Sequence, residues 1–110
     1  MIAEFSIENY FSVKSVQKIS FEPSSDTFMS DEYSYEVKDG VRLLKLGVIY
    51  GANASGKSSV IKAIRACVGM IFSSHNYNEN TIFAFTPFKF GSIGKPSTFF
   101  IRFLLEGIEY

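Results

Sequence analysis

The chain has 110 residues, with Lys+Arg 11 balanced by Asp+Glu 11, giving a formal net charge of +0. Hydrophobic residues at 46% and aromatic residues at 16% are enough for one small core. The even charge argues against a global nucleic-acid surface and against attraction to anionic membrane. Cys67 is the one cysteine, which excludes an internal disulfide and suits a reducing compartment. Glu4 and Glu8 with no early Lys or Arg do not read as a signal peptide. No apolar run approaches the ~20 residues that span a bilayer. The expectation is a soluble, cytoplasmic chain with no membrane partner.

From the N-terminus, Ile2-Ala3-Glu4-Phe5-Ser6-Ile7-Glu8 alternates apolar and polar residues, the period of a half-buried strand. Asn9-Tyr10-Phe11-Ser12 reads as a turn. Val16-Gln17-Lys18-Ile19-Ser20-Phe21 reads as a returning strand that stops before Pro23. Residues 1–21 are therefore predicted to form an antiparallel ribbon. Residues 22–40 are polar and acidic, with Glu22, Asp26, Asp31, Glu32, Glu36 and Asp39 against Lys38. The carboxylates lack the spacing of a cation site, so this is predicted as a solvated loop with short strands around 33–37. Residues 41–50, with Leu43, Leu44, Leu46, Val48 and Ile49, are predicted as a buried strand.

Next comes Gly51-Ala52-Asn53-Ala54-Ser55-Gly56-Lys57-Ser58-Ser59, which fits G-x-x-x-x-G-K-S, the Walker A phosphate loop. It stands between a strand-like and a helix-like run, the context that motif requires. Each residue type has a physical reason. Gly51 and Gly56 allow backbone angles and a close approach that a side chain would block. Amides from Asn53 through Ala54, Ser55, Gly56 and Lys57 to Ser58 and Ser59 can line one concavity for phosphate oxygens. A helix starting near Lys57 adds unpaired N–H groups and the positive end of its dipole. Lys57 is expected to reach β- and γ-phosphates as a point charge. Ser58 is expected to place its hydroxyl on Mg²⁺. The cofactors implied are ATP and Mg²⁺. The Asn53-Ala54-Ser55 glycosylation pattern carries no meaning inside such a loop.

Beyond the loop, Val60, Ile61, Ile64, Cys67, Val68 and Ile71 recur at helical steps, with Lys62 and Arg65 on the other side. The helix is predicted to end near 69–72, followed by a polar loop through 80. His75 is read as a loop residue. Phe83, Phe85, Phe88 and Phe90 form an aromatic row read as core packing. A strand is predicted for 98–105, with a hairpin turn at Glu106-Gly107, and residues 108–110 begin its partner. The chain stops within that hairpin, which predicts a piece of a longer protein.

A nucleotide hydrolase also needs an acid at the end of a second buried strand. Glu106, after Phe103-Leu104-Leu105, is the one candidate, but Arg102 and Gly107 make it read as a turn. No catalytic residue is assigned. No Asn-Lys-x-Asp guanine reader is present, which tilts the expectation to ATP over GTP.

Ile7-Glu8-Asn9-Tyr10-Phe11-Ser12, followed by Tyr50-Gly51-Ala52-Asn53-Ala54-Ser55-Gly56-Lys57-Ser58-Ser59, resembles the start of ABC-type ATPase heads of the SMC-like and RecF-like kind. It most resembles the bacterial AAA-family ATPases related to OLD and abortive-infection (antiphage) proteins. Thr86-Pro87-Phe88-Lys89-Phe90, Pro96-Ser97-Thr98-Phe99-Phe100-Ile101 and Gly107-Ile108-Glu109-Tyr110 resemble that family's antiparallel β-subdomain. The resemblance implies an α/β P-loop NTPase fold, here a truncated ABC-type head N-terminal lobe: ribbon 1–21, loop 22–40, strand, phosphate loop and helix 41–72, and β-subdomain strands 82–110. It implies that Asn53 lies beside the γ-phosphate. It implies a homodimer of heads, acting on nucleic acid or with an effector nuclease or toxin. Family members often carry Arg or Lys where this chain has Phe11, and Lys14 is a substitute; Ala54 stands where many have glycine. The signature motif, Walker B acid, D-loop and switch histidine do not occur in these residues. Two alternatives remain from the residues themselves: a small P-loop kinase, for which Arg42, Arg65 and Arg102 give no lid pattern, and a non-hydrolysing nucleotide-binding fragment.

Overall fold

A computed structural model of the chain describes residues 1–25, 29–38, 40–78, 80, 86–90 and 94–110. The fold is built on the first strand, β1 (Ile2–Glu8). Its alternation places Ala3, Phe5 and Ile7 in the interior, while Glu4 and Ser6 stay partly exposed. β2 (Gln17–Ser20) pairs antiparallel with one edge of β1, with Phe5 opposite Ile19. β5 (Thr98–Leu105) pairs antiparallel with the other edge, with Phe5 opposite Ile101 and Ile7 opposite Phe99. The register shifts between Ile2 and Glu4, a bulge that leaves Ala3 as the extra residue. A short β6 (Ile108–Glu109) closes the sheet in the order β2-β1-β5-β6. Glu106 and Gly107 both have positive φ (51° and 78°), as a two-residue hairpin turn on twisted strands requires.

One long helix covers one face of this sheet. α2 (Lys57–Ser73) packs Ala63 and Cys67 against Phe5, Ile7, Tyr10 and Val13, with Phe99 and Ile101 flanking. Burying Phe5 and Ile7 contributes about 1.5–3 kcal/mol each. Burial also pushes the Cys67 thiol above its ordinary pKa, so it stays protonated and inert at neutral pH. The opposite face of the sheet carries charge: Arg102 lies 2.6 Å from Glu22, 3.4 Å from Glu109 and 3.6 Å from Glu4, and Lys18 bonds Glu4 at 2.9 Å. The hydrogen bond from Lys18, helped by Arg102, holds the Glu4 carboxyl below its usual range.

A second, two-stranded sheet joins β3 (Ser34–Lys38) to β4 (Val41–Leu44), preceded by a single helical turn, α1 (Ser30–Tyr33). It docks through Leu43, which shares a core with Ala3 and Leu104. Phe21 bridges the two sheets, donating its amide to Ala3 and accepting from Leu44 at 2.7 Å.

Three expectations are corrected. The strand predicted over 41–50 forms only at Val41–Leu44, and residues 46–50 pair with no strand; Val48 is 74% exposed and Tyr50 90%. An apolar run specifies a strand but not what covers it. The helical stripe holds in part: Cys67 is buried and Val60, Ile64 and Val68 are half-buried, but Ala63, outside the expected stripe, is fully buried, while Ile61 and Ile71 face outward. Small side chains sit where the helix comes closest to the sheet. The polar stretch after the helix is not all loop, since α2 runs to Ser73 and continues as a 3₁₀ turn, Ser74–Asn76, that contains His75. Within 22–40, β3 falls where short strands are expected around 33–37, and the helical turn α1 precedes it. Of the aromatic row, Phe83 and Phe85 lie outside the described residues; Phe88 and Phe90 meet edge to face at 5.8 Å, and Phe90 is exposed rather than in the core. No parallel strand pair occurs among the described residues, and no described helix is long and apolar enough to cross a membrane.

Urea denaturation discriminates these placements. Phe5→Ala should cost about 3–5 kcal/mol through the cavity it leaves. Val48→Ser should stay within about 0.5 kcal/mol. Gly69→Ala should stabilise the chain by about 0.5–1 kcal/mol, because a Cβ there enters open space on a helix.

Candidate phosphate-binding site

The site forms where residues 51–56 turn into α2. Lys57 folds back over the loop, and its Nζ donates to Gly51 O and Ala52 O, both at 2.6 Å. An ammonium has three N–H groups, so one remains for a ligand. Inside the loop, the Ser55 amide reaches Ala52 O at 3.3 Å, and Ala54 takes a left-handed φ of 66°. The amide of Ser59 bonds Gly56 O at 2.9 Å and that of Val60 bonds the same oxygen at 3.2 Å. At the leading edge, the amides of Lys57 and Ser58 lie beyond the reach of any intrahelical acceptor, and no side chain caps the helix. Unpaired amides at a helix start, in the residue that also carries the ammonium and the next one, suit an anion on electrostatic grounds.

Gly56 is needed here twice over. Its φ is 96°, and a Cβ on it would lie 3.2 Å from Ser12 Oγ. Ser12 belongs to the turn after β1. Tyr10 and Val13 exchange amide hydrogen bonds at 2.9 Å each, and Phe11 between them has φ 50°. Asn9 is also left-handed, at φ 53°. Such angles cost a non-glycine residue about 1–2 kcal/mol, less for Asn. The surroundings hold both residues there. Asn9 Nδ2 donates to Lys95 O at 2.8 Å and Pro96 O at 3.2 Å, Asn9 Oδ1 accepts from the Phe88 amide at 3.1 Å, and Ser97 Oγ donates to Asn9 O. The Phe11 amide bonds Thr86 O at 2.8 Å, and its ring packs on Tyr10 beneath the Lys62 ammonium. So fixed, the turn brings Ser12 Oγ to 2.8 Å from Ser59 Oγ.

Two open clefts flank Lys57. One, of about 570 Å³, is lined by Gly51, Ser55, Gly56 and Lys57 together with Lys14, Lys18 and Tyr50. The other, of about 450 Å³, is lined by Lys57, Ser58, Ile61 and Lys62. Neither has a carboxylate in its lining; Lys14 and Lys57 bring positive charge to the first and Lys57 and Lys62 to the second, while Lys18 is paired with Glu4. The structure thus brings Gly51, Ser55, Gly56, Lys57 and Lys14 around one cleft and puts Ser58 on the other side of Lys57. Asn53 and Ala54 form the exposed tip of the loop and line neither cleft, and Ser59 turns to Ser12. Glu106 is at the wrong end of the sheet. β5 runs antiparallel to β1, so Glu106 follows the strand end beside Ile2, whereas the loop lies beyond Glu8. The seven residues of β1 alone span ~20 Å at about 3.3 Å per residue. Sequence reading missed the contributions of Lys18 and Tyr50 to the cleft. Strand alternation places Lys18 with Glu4 on the face away from α2, so its part in the cleft is not legible from the register, and nothing in the sequence marks Tyr50.

The group that Ser58 would hold, Mg²⁺, prefers oxygen ligands and keeps several waters when it binds phosphates. A serine hydroxyl on the first turn of α2 fits one position of such a shell. No cluster of His, Cys, Asp or Glu able to hold a metal alone occurs among the described residues. No protein-family model, curated protein or solved structure matches the chain.

Gly56→Ala tests the loop geometry against Gly40→Ala. Both place a methyl group at positive φ, but only Gly56 also meets a neighbour. Gly40→Ala should cost about 1–2 kcal/mol from backbone strain alone. Gly56→Ala should cost more in urea titrations, and equal costs would show that Ser12 does not press on the loop.

Proposed function

We propose that the chain binds Mg·ATP, with the triphosphate on residues 51–59. The observation that carries this reading is the Lys57 ammonium laid over Gly51 O and Ala52 O beside the unpaired amides of α2. That arrangement, in a G-x-x-x-x-G-K-S sequence, presents donors and positive charge to a polyanion before any ligand arrives. Gly51, Ser55, Gly56, Lys57 and Ser58 form the cradle, Asn53 and Ala54 make its exposed tip with Asn53 towards the γ-phosphate, and Ser59 supports it from the helix. Ser58 holds Mg²⁺, which neutralises phosphate charge. The lysine-lined cleft beyond Gly51 takes the rest of the nucleotide, with Lys14 supplying charge there.

The wider role follows from the resemblance. The chain is the N-terminal lobe of an ABC-type ATPase head of the OLD and abortive-infection kind, cytoplasmic, pairing with a second head and acting in DNA-related or antiphage defence. A second reading, nucleotide binding without hydrolysis by these residues alone, is favoured by the position of Glu106 at the far end of β1. In either case the acid that activates water comes from outside the two clefts, from another lobe or another protomer.

Calorimetric titration with Mg·ATP, Mg·GTP and Mg·ADP tests the proposal. The expected result is saturable binding of ATP, weakened about 10- to 150-fold by Lys57→Ala, the loss of one charge-assisted contact of about 1.5–3 kcal/mol. Unchanged affinity in Lys57→Ala would overturn it. Phosphate release without an acceptor substrate separates an ATPase from a phosphotransferase.

A further inference from the structure

The contact between Ser12 and Ser59 joins parts of the chain 47 residues apart. It lies at the first turn of α2, where the helix has no side-chain cap of its own. The Ser59 amide already bonds Gly56 O, so the Ser59 hydroxyl is free to be held from outside. The residue that reaches it sits in a turn with two left-handed non-glycine residues, Asn9 and Phe11, locked by bonds to residues 86, 88 and 95–97. Strain of this kind persists only where the surroundings over-determine it, and it gathers at functional sites. Here its product is the placement of one hydroxyl against the phosphate loop.

We propose that Ser12 is a positioning residue for nucleotide binding: it braces the leading turn of α2 through Ser59, so that the amides of residues 56–58 are already aimed when the anion arrives. This inference rests on the nucleotide reading above. Ser12 need not touch the triphosphate. Its Oγ bonds Ser59 Oγ and fills the space beside Gly56, which blocks two ways for the loop to relax: rotation of the Ser59 side chain and collapse of the loop towards the sheet. Ordering that is complete before binding is not subtracted from affinity, which is how a brace tightens a site without contacting the ligand. Asn9 acts one step further back, by fixing the turn that presents Ser12.

The test compares Ser12→Ala, Ser59→Ala, the double variant and Ser12→Thr in the full chain. Calorimetry with Mg·ATP should show affinity reduced about 3- to 10-fold in each alanine variant, the loss of one neutral hydrogen bond. The double variant should lose no more than either single one, because both remove the same bond. Ser12→Thr keeps the hydroxyl and should recover most of the wild-type affinity, while thermal midpoints without nucleotide stay close together. Wild-type affinity in Ser12→Ala, additive losses in the double variant, or failure of threonine to rescue would each overturn the role. Amide hydrogen exchange without ligand gives a separate readout. Ser12→Ala should speed exchange at Ser59 and Val60, and unchanged exchange there would sink the brace even if nucleotide binding itself failed. Absence of Mg·ATP binding by the wild-type chain would instead remove the nucleotide reading.

Discussion

An ammonium group spanning two backbone carbonyls sets the shape on which the candidate site depends. With Nζ of Lys57 on Gly51 O and Ala52 O, residues 51–57 close into a ring. That ring needs no ligand to exist. It turns two carbonyl dipoles towards the lysine, where they would otherwise repel phosphate, and leaves the helix amides facing outward. The glycine at 56 then decides the direction in which the chain leaves the ring, and α2 inherits that direction.

The helix in turn is placed by β1. Phe5 and Ile7 meet Ala63 and Cys67 across the layer, and the turn after β1 returns to the first turn of α2 through Ser12. Anchoring at both points ties the loop to the inner strand of the sheet. The segment leading into the loop is anchored far less. Residues 46–50 have apolar side chains without a sheet around them, and the cleft between them and β2 is open. The loop of residues 51–56 is therefore held from its helix side and by its own lysine, with little support from its strand side.

Several features were legible in the residues alone because they are local. The alternation of Ala3, Phe5 and Ile7 marks the inward face of β1, since a pleated strand has a period of two. Glu106-Gly107 marks a tight turn, and the loop motif fixes the start of α2 at Lys57. Other features were not legible because they depend on partners distant in sequence. Val41–Leu44 pairs with Ser34–Lys38; a strand around 33–37 is legible, but not that it partners this segment or that the ladder runs out at Leu44. Helical spacing places Cys67 on the buried face of α2, but packing adds Ala63 and turns Ile61 and Ile71 outward, because a short side chain lets helix and sheet approach. Asn9 reads as an ordinary turn residue, and its four hydrogen-bonded partners, all near 86–97, give no sign of themselves in the sequence. The same holds for the candidate site: the loop of residues 51–59 is visible as a motif, while the Ser12–Ser59 bridge is a product of the fold.

The lone thiol has a practical consequence. Cys67 lies in the layer between α2 and β1, and burial keeps it in the unreactive form. No other sulfhydryl competes with it. The speed at which an alkylating dye consumes it therefore reports how often the helix lifts from the strand, so the chain carries its own clock for local opening, without an introduced label.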